Sequence, residues 1–443
     1  METPVSAYKK IEGENSFLLE SVEGGEKIAR YSFLGAGSQK ELFTFRSLVE
    51  IRKTLAGFKP VTVPGLPRFH GGLVGYVSYD MVREIEGIPD KNPDDLKLPS
   101  MLFLLTDTLL AFDHVKHKIQ ILSNAEIKGD PEKAYQEACS KIEELEKKLK
   151  KPLKLEREEF EIPPEPKKKL EISSNMSQEH FEGMVKKAKE YICAGDVIQV
   201  VPSQRFVAEC RVDPFEVYRV LRAVNPSPYM YYLKLGEVRM AGSSPEVMVR
   251  LEGGEATLRP IAGTRKRGGS EEEDEKMAEE LLSSEKEKAE HIMLVDLGRN
   301  DLGRVCEFGT VRVTEEMVIE RYSHVMHIVS NVTGKLKKDK DAVDLLSATF
   351  PAGTVTGAPK VRAMEIIDEL ENVKRGPYAG CVGYFGFSGE MDTCITIRTI
   401  IFKGNKAYVQ AGAGIVADSI PSQEYKETVN KARGMLKAIE LAQ

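Results

Sequence analysis

The chain has 443 residues, 41% hydrophobic and 30% charged, with a formal net charge of −6. That length allows two or three domains, or one large core with a smaller companion. The acidic balance leaves no electrostatic footprint for nucleic acid; the apolar run at 102–112 is cut by Asp107 and too short to span a bilayer, and METPVSAYKKIEGEN lacks a signal-peptide core.

In chain order, residues 1–126 mix short strand-like runs with turns (FHGGLVGYVSYD, MLFLLTDTLLAFDHVKHKIQIL) and close on a strand at 118–122. A strongly charged helix is predicted over 131–150. The prolines and mixed charges of PLKLEREEFEIPPEPKKKLEI then read as a linker over 151–173. Ser177 fits a helix N-cap, and Phe181, Met184, Val185, Ala188, Tyr191 and Ile192 keep helical spacing until Gly195. Next come VIQVVPSQRFV, a helix over 214–224, and YMYYLKL, VRMAGSS, EVMVRLEGG and EATLRPIAG, whose glycine turns predict an antiparallel meander. Helical stretches follow at 272–297 and 341–349, then TVTGAPKVRAMEIIDELE, where Pro359 suits the first helical position. Strands return in YAGCVGYFGF, TCITIRTIIF and AYVQAGAGI, and a helix over 421–441 ends the chain. The expected fold class is α+β, antiparallel sheets covered by helices, with an N-terminal region (1–150), the linker (151–173) and a second domain (174–443).

Two segments carry paired carboxylates, Glu287/Glu290 in EKEKAEH and Glu424/Glu427 in EYKETVNKA. Three residues make nearly one helical turn, so each pair shares a face. Together the faces present up to four carboxylates, hard-oxygen ligation suited to Mg²⁺ and an anionic substrate group. One pair alone would read as a solvated Glu/Lys surface. QAGAGIV (Gly412, Gly414) ends an apolar strand just before the second pair. GTVTGAPK opens a helix whose N–H groups either hold an anion or simply make the junction, and its spacing fails the Walker pattern. Arg398, mid-strand among Ile395, Ile397 and Ile400, needs a carboxylate from a ligand or an internal salt bridge. His327 in YSHVMHIVS reads as a satisfied core histidine or a working one. Cys139, Cys193, Cys210, Cys306, Cys381 and Cys394 are far apart, without zinc spacing, and read as reduced thiols of a cytoplasmic protein.

Taken together, GSSPE, RPIAGTRKRG, EKEKAEHIMLVDLGRNDLGRV, YSHVMHIVS, FPAGTVTGAPKVRAMEII, GPYAGCVGYFG, DTCITIRT and QAGAGIVADSIPSQEYKET resemble the chorismate-utilising enzymes, most closely the anthranilate synthase component I branch. The resemblance covers about 174–435 and extends more loosely through LLES and RYSFLG. It implies a sandwich-like core and a chorismate-binding catalytic domain. It implies Mg²⁺ held by Glu290 and Glu427 on the ring carboxylate of chorismate, with Glu287 and Glu424 nearby. Arg398, Tyr378, Gly263, Thr264 and the Gly412, Ala413, Gly414 backbone match chorismate-binding positions. Glu246 matches the acid that protonates the departing C4 hydroxyl, which needs a carboxyl neutral near pH 7. His327 matches the histidine of the second step, loss of pyruvate, and Thr354 falls within a catalytic motif.

Two positions distinguish the branches. Where relatives that add water carry a lysine base, this chain has Gln199, which cannot take a proton from water; ammonia needs no such base. Where aminodeoxychorismate synthases carry a lysine, it has Ala262. The pair implies direct amination at C2, hence anthranilate, over the alternatives of an aminodeoxychorismate synthase or a silent tryptophan-sensing paralogue. With no glutaminase-type GxCxG, ammonia is expected from a glutamine amidotransferase subunit, in a heterotetramer by resemblance. Glu20, Ser21, Pro228, Tyr229 and Met230 match the family's tryptophan feedback site, an aromatic–thioether slot for an indole.

Overall fold

Neighbouring residues on single strands point into different interiors, as the two-residue period of a strand requires. In strand Asn15–Glu20, Phe17 packs with Phe33, Tyr231 and Tyr384, whereas Leu18 packs with Tyr8, Phe215 and Ile439. A strand apolar on both faces belongs to a sheet covered on both sides, and each fully buried side chain of this size contributes roughly 1.5–3 kcal/mol. The computed structural model describes residues 2–21, 30–61, 63–153, 163, 165, 169–322 and 325–443.

Two ten-stranded antiparallel sheets form the centre. The first runs Lys118–Ser123, Thr108–Asp113, Tyr31–Gly37, Asn15–Glu20, Tyr229–Leu235, Val238–Ser244, Thr399–Lys403, Lys406–Gly412, Ser203–Glu209, Ile172–Ser174. The second runs Ile261–Lys266, Val325–Lys335, Glu255–Leu258, Val247–Glu252, Met391–Ile395, Cys381–Gly386, Gly72–Val77, Met101–Thr106, Leu42–Phe45, with Arg312–Arg321 also paired to Val325–Lys335. Their facing sides enclose Phe17, Tyr76, Leu104, Tyr231, Met240 and Val382. Helices Pro4–Ile11, Pro214–Val224 and Pro421–Ala442 cover the outer face of the first sheet. Helices Leu48–Ala56, Glu285–Gly303, Ala342–Thr349 and Lys360–Leu370 cover that of the second. This is the expected α+β sandwich. Segments 1–150 and 174–443 share both sheets: Asn15–Glu20 pairs with Tyr229–Leu235, and Gly72–Val77 with Cys381–Gly386. Of the linker expected at 151–173, residues 154–162, 164 and 166–168 lie outside the described residues. Among the described residues no helix is long and apolar enough to cross a membrane, and all six cysteines are free.

Several elements fall where local signals put them. Helices span Pro131–Lys150 and Pro214–Val224, and the Ser177 side chain caps Gln178–Cys193 by accepting from His180 N at 3.1 Å. Four expectations need correction. The stretch 272–297 is two helices, Glu271–Ser283 and Glu285–Gly303, because Ser284 ends one and caps the next. The meander does not stay in one sheet; after Val238–Ser244 the chain leaves for the other sheet at Pro245, a residue with no ladder N–H to give. TCITIRTIIF is two strands in different sheets, so Arg398 is not mid-strand but at the crossing, with φ 51°. Pro359 is the N-cap of Lys360–Leu370 rather than its first residue.

Candidate active site

The two sheet crossings lie side by side. Ile395 N donates to Glu246 O (3.0 Å), Ser243 N to Arg398 O (3.1 Å), and Ser244 Oγ to Ile395 O (2.7 Å). Leaving a sheet breaks the extended alternation, and Arg398 bears that break in the left-handed region, a strain of about 1–3 kcal/mol. The crossings therefore bring a carboxyl and a guanidinium to the wall of one cavity of about 930 Å³.

The carboxylate pairs meet across this cavity: Glu287 and Glu290 from helix Glu285–Gly303, Glu424 and Glu427 from the C-terminal helix. Gln199 Nε2 donates to Glu290 at 3.0 Å, Arg265 Nη1 to Glu287 at 3.3 Å, and Lys431 Nζ lies 2.7 Å from Glu427. Burial raises the Glu424 pKa, and the Glu427 charge adds to that against Ser419, Lys431 and Lys286. Among the described residues no three His, Cys, Asp or Glu side chains converge as a ready metal cluster. Two oxygen-only pairs facing an open cavity nevertheless fit a hard cation that takes one or two protein carboxylates and fills its other positions with water and substrate.

Glu246 is buried, and desolvation raises its pKa to about 8, against the opposing pull of Thr354, the Ile261 N–H and the Lys431 charge. Thr354 faces that carboxyl without a fully formed hydrogen bond of its own. His327 lines the same cavity, with Nδ1 2.9 Å from Gly263 O and 3.1 Å from Thr264 Oγ1. A carbonyl only accepts, so Nδ1 carries the proton and Nε2 keeps its lone pair. Burial lowers the His327 pKa against the opposing pull of the Gly263 hydrogen bond, and the Arg398 charge adds to the lowering. Gly263 has φ 62°, and a Cβ there would meet Leu281 at 2.8 Å and Glu287 at 3.0 Å.

Arg398 donates to Lys431 O at 2.6 Å, and among the described residues no carboxylate pairs with it. Without an internal salt bridge among the described residues, a charged fork lines the cavity beside Tyr378, whose pKa burial pushes up to about 12. Gly412 and Gly414 leave room for side chains: a Cβ on Gly412 would meet Tyr378 Oη at 2.9 Å, and one on Gly414 would meet Gln199 Nε2 at 2.6 Å. Ala413 turns away into the small core around Phe181, its N–H spent on Pro202 O. GTVTGAPK contributes Thr354 to the wall, and its 357–358 backbone pairs with Gln199–Val200, so the loop also places Gln199. Lys431 escaped the sequence reading; it stands four residues after Glu427 on the same face, the signal that would have found it.

A second, much smaller cleft of about 40 Å³ lies between the sheets and shares no lining residue with the first. Glu20, Ser21, Tyr229 and Met230 line it, and Pro228 does not. Glu20 accepts from Tyr218 Oη (2.5 Å) and Arg222 Nε (3.1 Å). Across the cleft Asp392 meets Tyr229 Oη (2.9 Å), Arg250 Nε (3.1 Å) and Arg68 Nη2 (3.4 Å), while Arg68 Nε has no partner.

The chorismate binding enzyme family model matches residues 14–437. Anthranilate synthase component 1 of Acetivibrio thermocellus is 53% identical, covering 100% of this chain and 94% of the relative. That of Aquifex aeolicus is 50% identical, over 100% and 93%. The crystal structure of anthranilate synthase component I from Streptococcus pneumoniae TIGR4 superposes with a TM-score of 0.84 at 39% identity, over 98% of this chain and 97% of that one. With relatives this similar along its whole length and two carboxylate pairs around one cavity, this chain belongs to the chorismate-binding enzymes.

Proposed function

We propose that the chain is the synthase subunit of an anthranilate synthase, which aminates chorismate at C2 with ammonia and then eliminates pyruvate. The observation that carries this reading is a buried carboxyl with a pKa of about 8 and a histidine with a free Nε2 lining one cavity. Glu290 and Glu427 would hold Mg²⁺ against the ring carboxylate, with Glu287 and Glu424 behind them. When bound, that ion draws electron density from the ring and eases attack at C2.

Arg398 supplies a bidentate fork for a substrate carboxylate, with Tyr378 and the Gly412–Gly414 backbone alongside. As the nitrogen bonds to C2, both ring double bonds shift along the ring toward C4 and the C4–O bond breaks. Glu246 gives its proton to the departing hydroxyl, which leaves as water, and the nitrogen releases one proton. His327 Nε2 then takes the C2 proton while the C3–O bond breaks, releasing enolpyruvate and the aromatic product. Gln199 cannot serve as a base for water, and Ala262 offers no nitrogen for covalent attack. Ammonia would come from a glutamine amidotransferase subunit, in a hetero-oligomer. The small cleft suits tryptophan: two arginines around Asp392 answer the ligand carboxylate, Glu20 its ammonium, and Tyr229 with Met230 the indole.

The decisive assay supplies the purified chain with chorismate, Mg²⁺ and ammonium at alkaline pH and identifies the product by fluorescence and mass. Anthranilate is expected from ammonium and not from glutamine. Aminodeoxychorismate, or no turnover of chorismate, would overturn the reading.

A further inference from the structure

The most deeply buried ion pair beside the cavity touches none of its space. Arg375 and Glu371 lie between helix Lys360–Leu370 and strand Cys381–Gly386, with side chains 1% and 3% exposed. Arg375 Nε and Nη2 reach Glu371 at 3.1 and 2.6 Å. The other donors go to main-chain carbonyls of two separate segments: Nη1 to Val355 O at 2.7 Å and Nη2 to Val201 O at 2.6 Å. Glu371 Oε1 also accepts from Ser203 N and Oγ, both at 2.8 Å. The guanidinium lies over the rings of Tyr79 and Tyr378, 4.8 and 5.5 Å from their centres.

Fold stability does not explain the arrangement. Desolvating two charges costs about what their attraction returns, and packed apolar side chains commonly serve as well or better. What an apolar pair cannot do is hold two carbonyls at one point. Val201 follows the Gln199–Val200 strand, Val355 follows Thr354, and both segments and Tyr378 line the cavity. The planar five-donor fork is the one side chain that meets both carbonyls and the carboxylate together.

We infer that Arg375, held by Glu371, is a positioning residue for the amination half of the reaction, clamping the wall that carries Gln199, Thr354 and Tyr378. This rests on the synthase reading above. The strand pair that carries Gly263, Thr264 and His327 is oriented by its own hydrogen bonds and receives none from Arg375. The clamp therefore serves one step more than the other.

Two variants test this. The double substitution Arg375→Met with Glu371→Met removes both charges together, so neither remains buried alone. Arg375→Lys keeps the charge and loses the fork. Thermal melts establish that each is folded, and two rates are then measured at saturating Mg²⁺: amination of chorismate, and pyruvate release from supplied 2-amino intermediate. A misplaced wall predicts an amination kcat lower by about 100-fold and a pyruvate-release kcat changed only a few-fold. Wild-type amination by the folded double variant would overturn the inference, as would equal loss in both steps or failure of both variants to fold. Wild-type chain that makes no anthranilate in the same assay would instead overturn the synthase reading on which the inference depends.

Discussion

Glu246 shows at the residue scale how a site draws on the stability of its fold. Its folded pKa of about 8 stands above the unfolded carboxyl value of 4.5. Below pH 4.5 both states bind the proton and nothing is lost. As pH rises toward 8 the unfolded chain ionises while the folded one does not, so stability falls, by about 3 kcal/mol at pH 7. Glu246→Gln should therefore melt higher than wild type at pH 7–8, match it near pH 4.5, and lose amination. A melting difference that did not grow with pH would contradict a protonated Glu246. At fixed free ammonia, kcat/KM should also decline above pH 8 as the acid loses its proton. Arg398→Lys keeps the charge and loses the fork, so chorismate KM should rise by about 10-fold or more. Unchanged KM with lowered melting temperature would make Arg398 structural.

At the element scale, the site depends on where strands end. Gly414 lies just past strand Lys406–Gly412, and a methyl group there would press on the Gln199 amide, the movable end of a flexible side chain. Gly414→Ala should leave melting nearly unchanged, displace Gln199 from Glu290, and raise the Mg²⁺ concentration needed for half-maximal rate; an unchanged Mg²⁺ response would remove Gln199 from the metal's surroundings. Helix breaks matter in the same way. Ser284 starts the helix that carries Glu287 and Glu290, and Ser284-x-x-Glu287 is a capping signature. The break was thus legible in the sequence, although helical composition on both sides hid it. The crossing at Arg398 was not legible, because β-branched residues flank it and only pairing partners decide which sheet each half joins.

At the scale of the whole molecule, the small cleft and the large cavity are separate, yet one strand serves both. Asp392 and Cys394 of Met391–Ile395 line the cleft, and Ile395 bonds Glu246 at the cavity. Inhibition by a ligand in the cleft is then a coupling free energy between two sites, typically about 1–3 kcal/mol and reciprocal. Ser21→Phe should fill the cleft and abolish tryptophan inhibition while kcat and Mg²⁺ dependence stay as in wild type. Calorimetry should show wild-type tryptophan affinity weakened by chorismate; absence of tryptophan binding to wild type would return LLES to a structural role.

Much of this protein is written in local pattern. Helices 131–150 and 214–224, the N-cap at Ser177 and the same-face pairing of Glu287/Glu290 and Glu424/Glu427 follow from spacing and capping, which act within a few residues. Ordered motifs along the chain likewise marked Glu246, His327, Arg398 and Gln199 as residues to watch. Only the tertiary structure decided that strands from both ends interleave in two sheets and that the chain changes sheet at Pro245 and at Arg398. It also decided the charge state of Glu246, because burial sets the proton's free energy, and burial depends on which distant strands and helices close over the carboxyl.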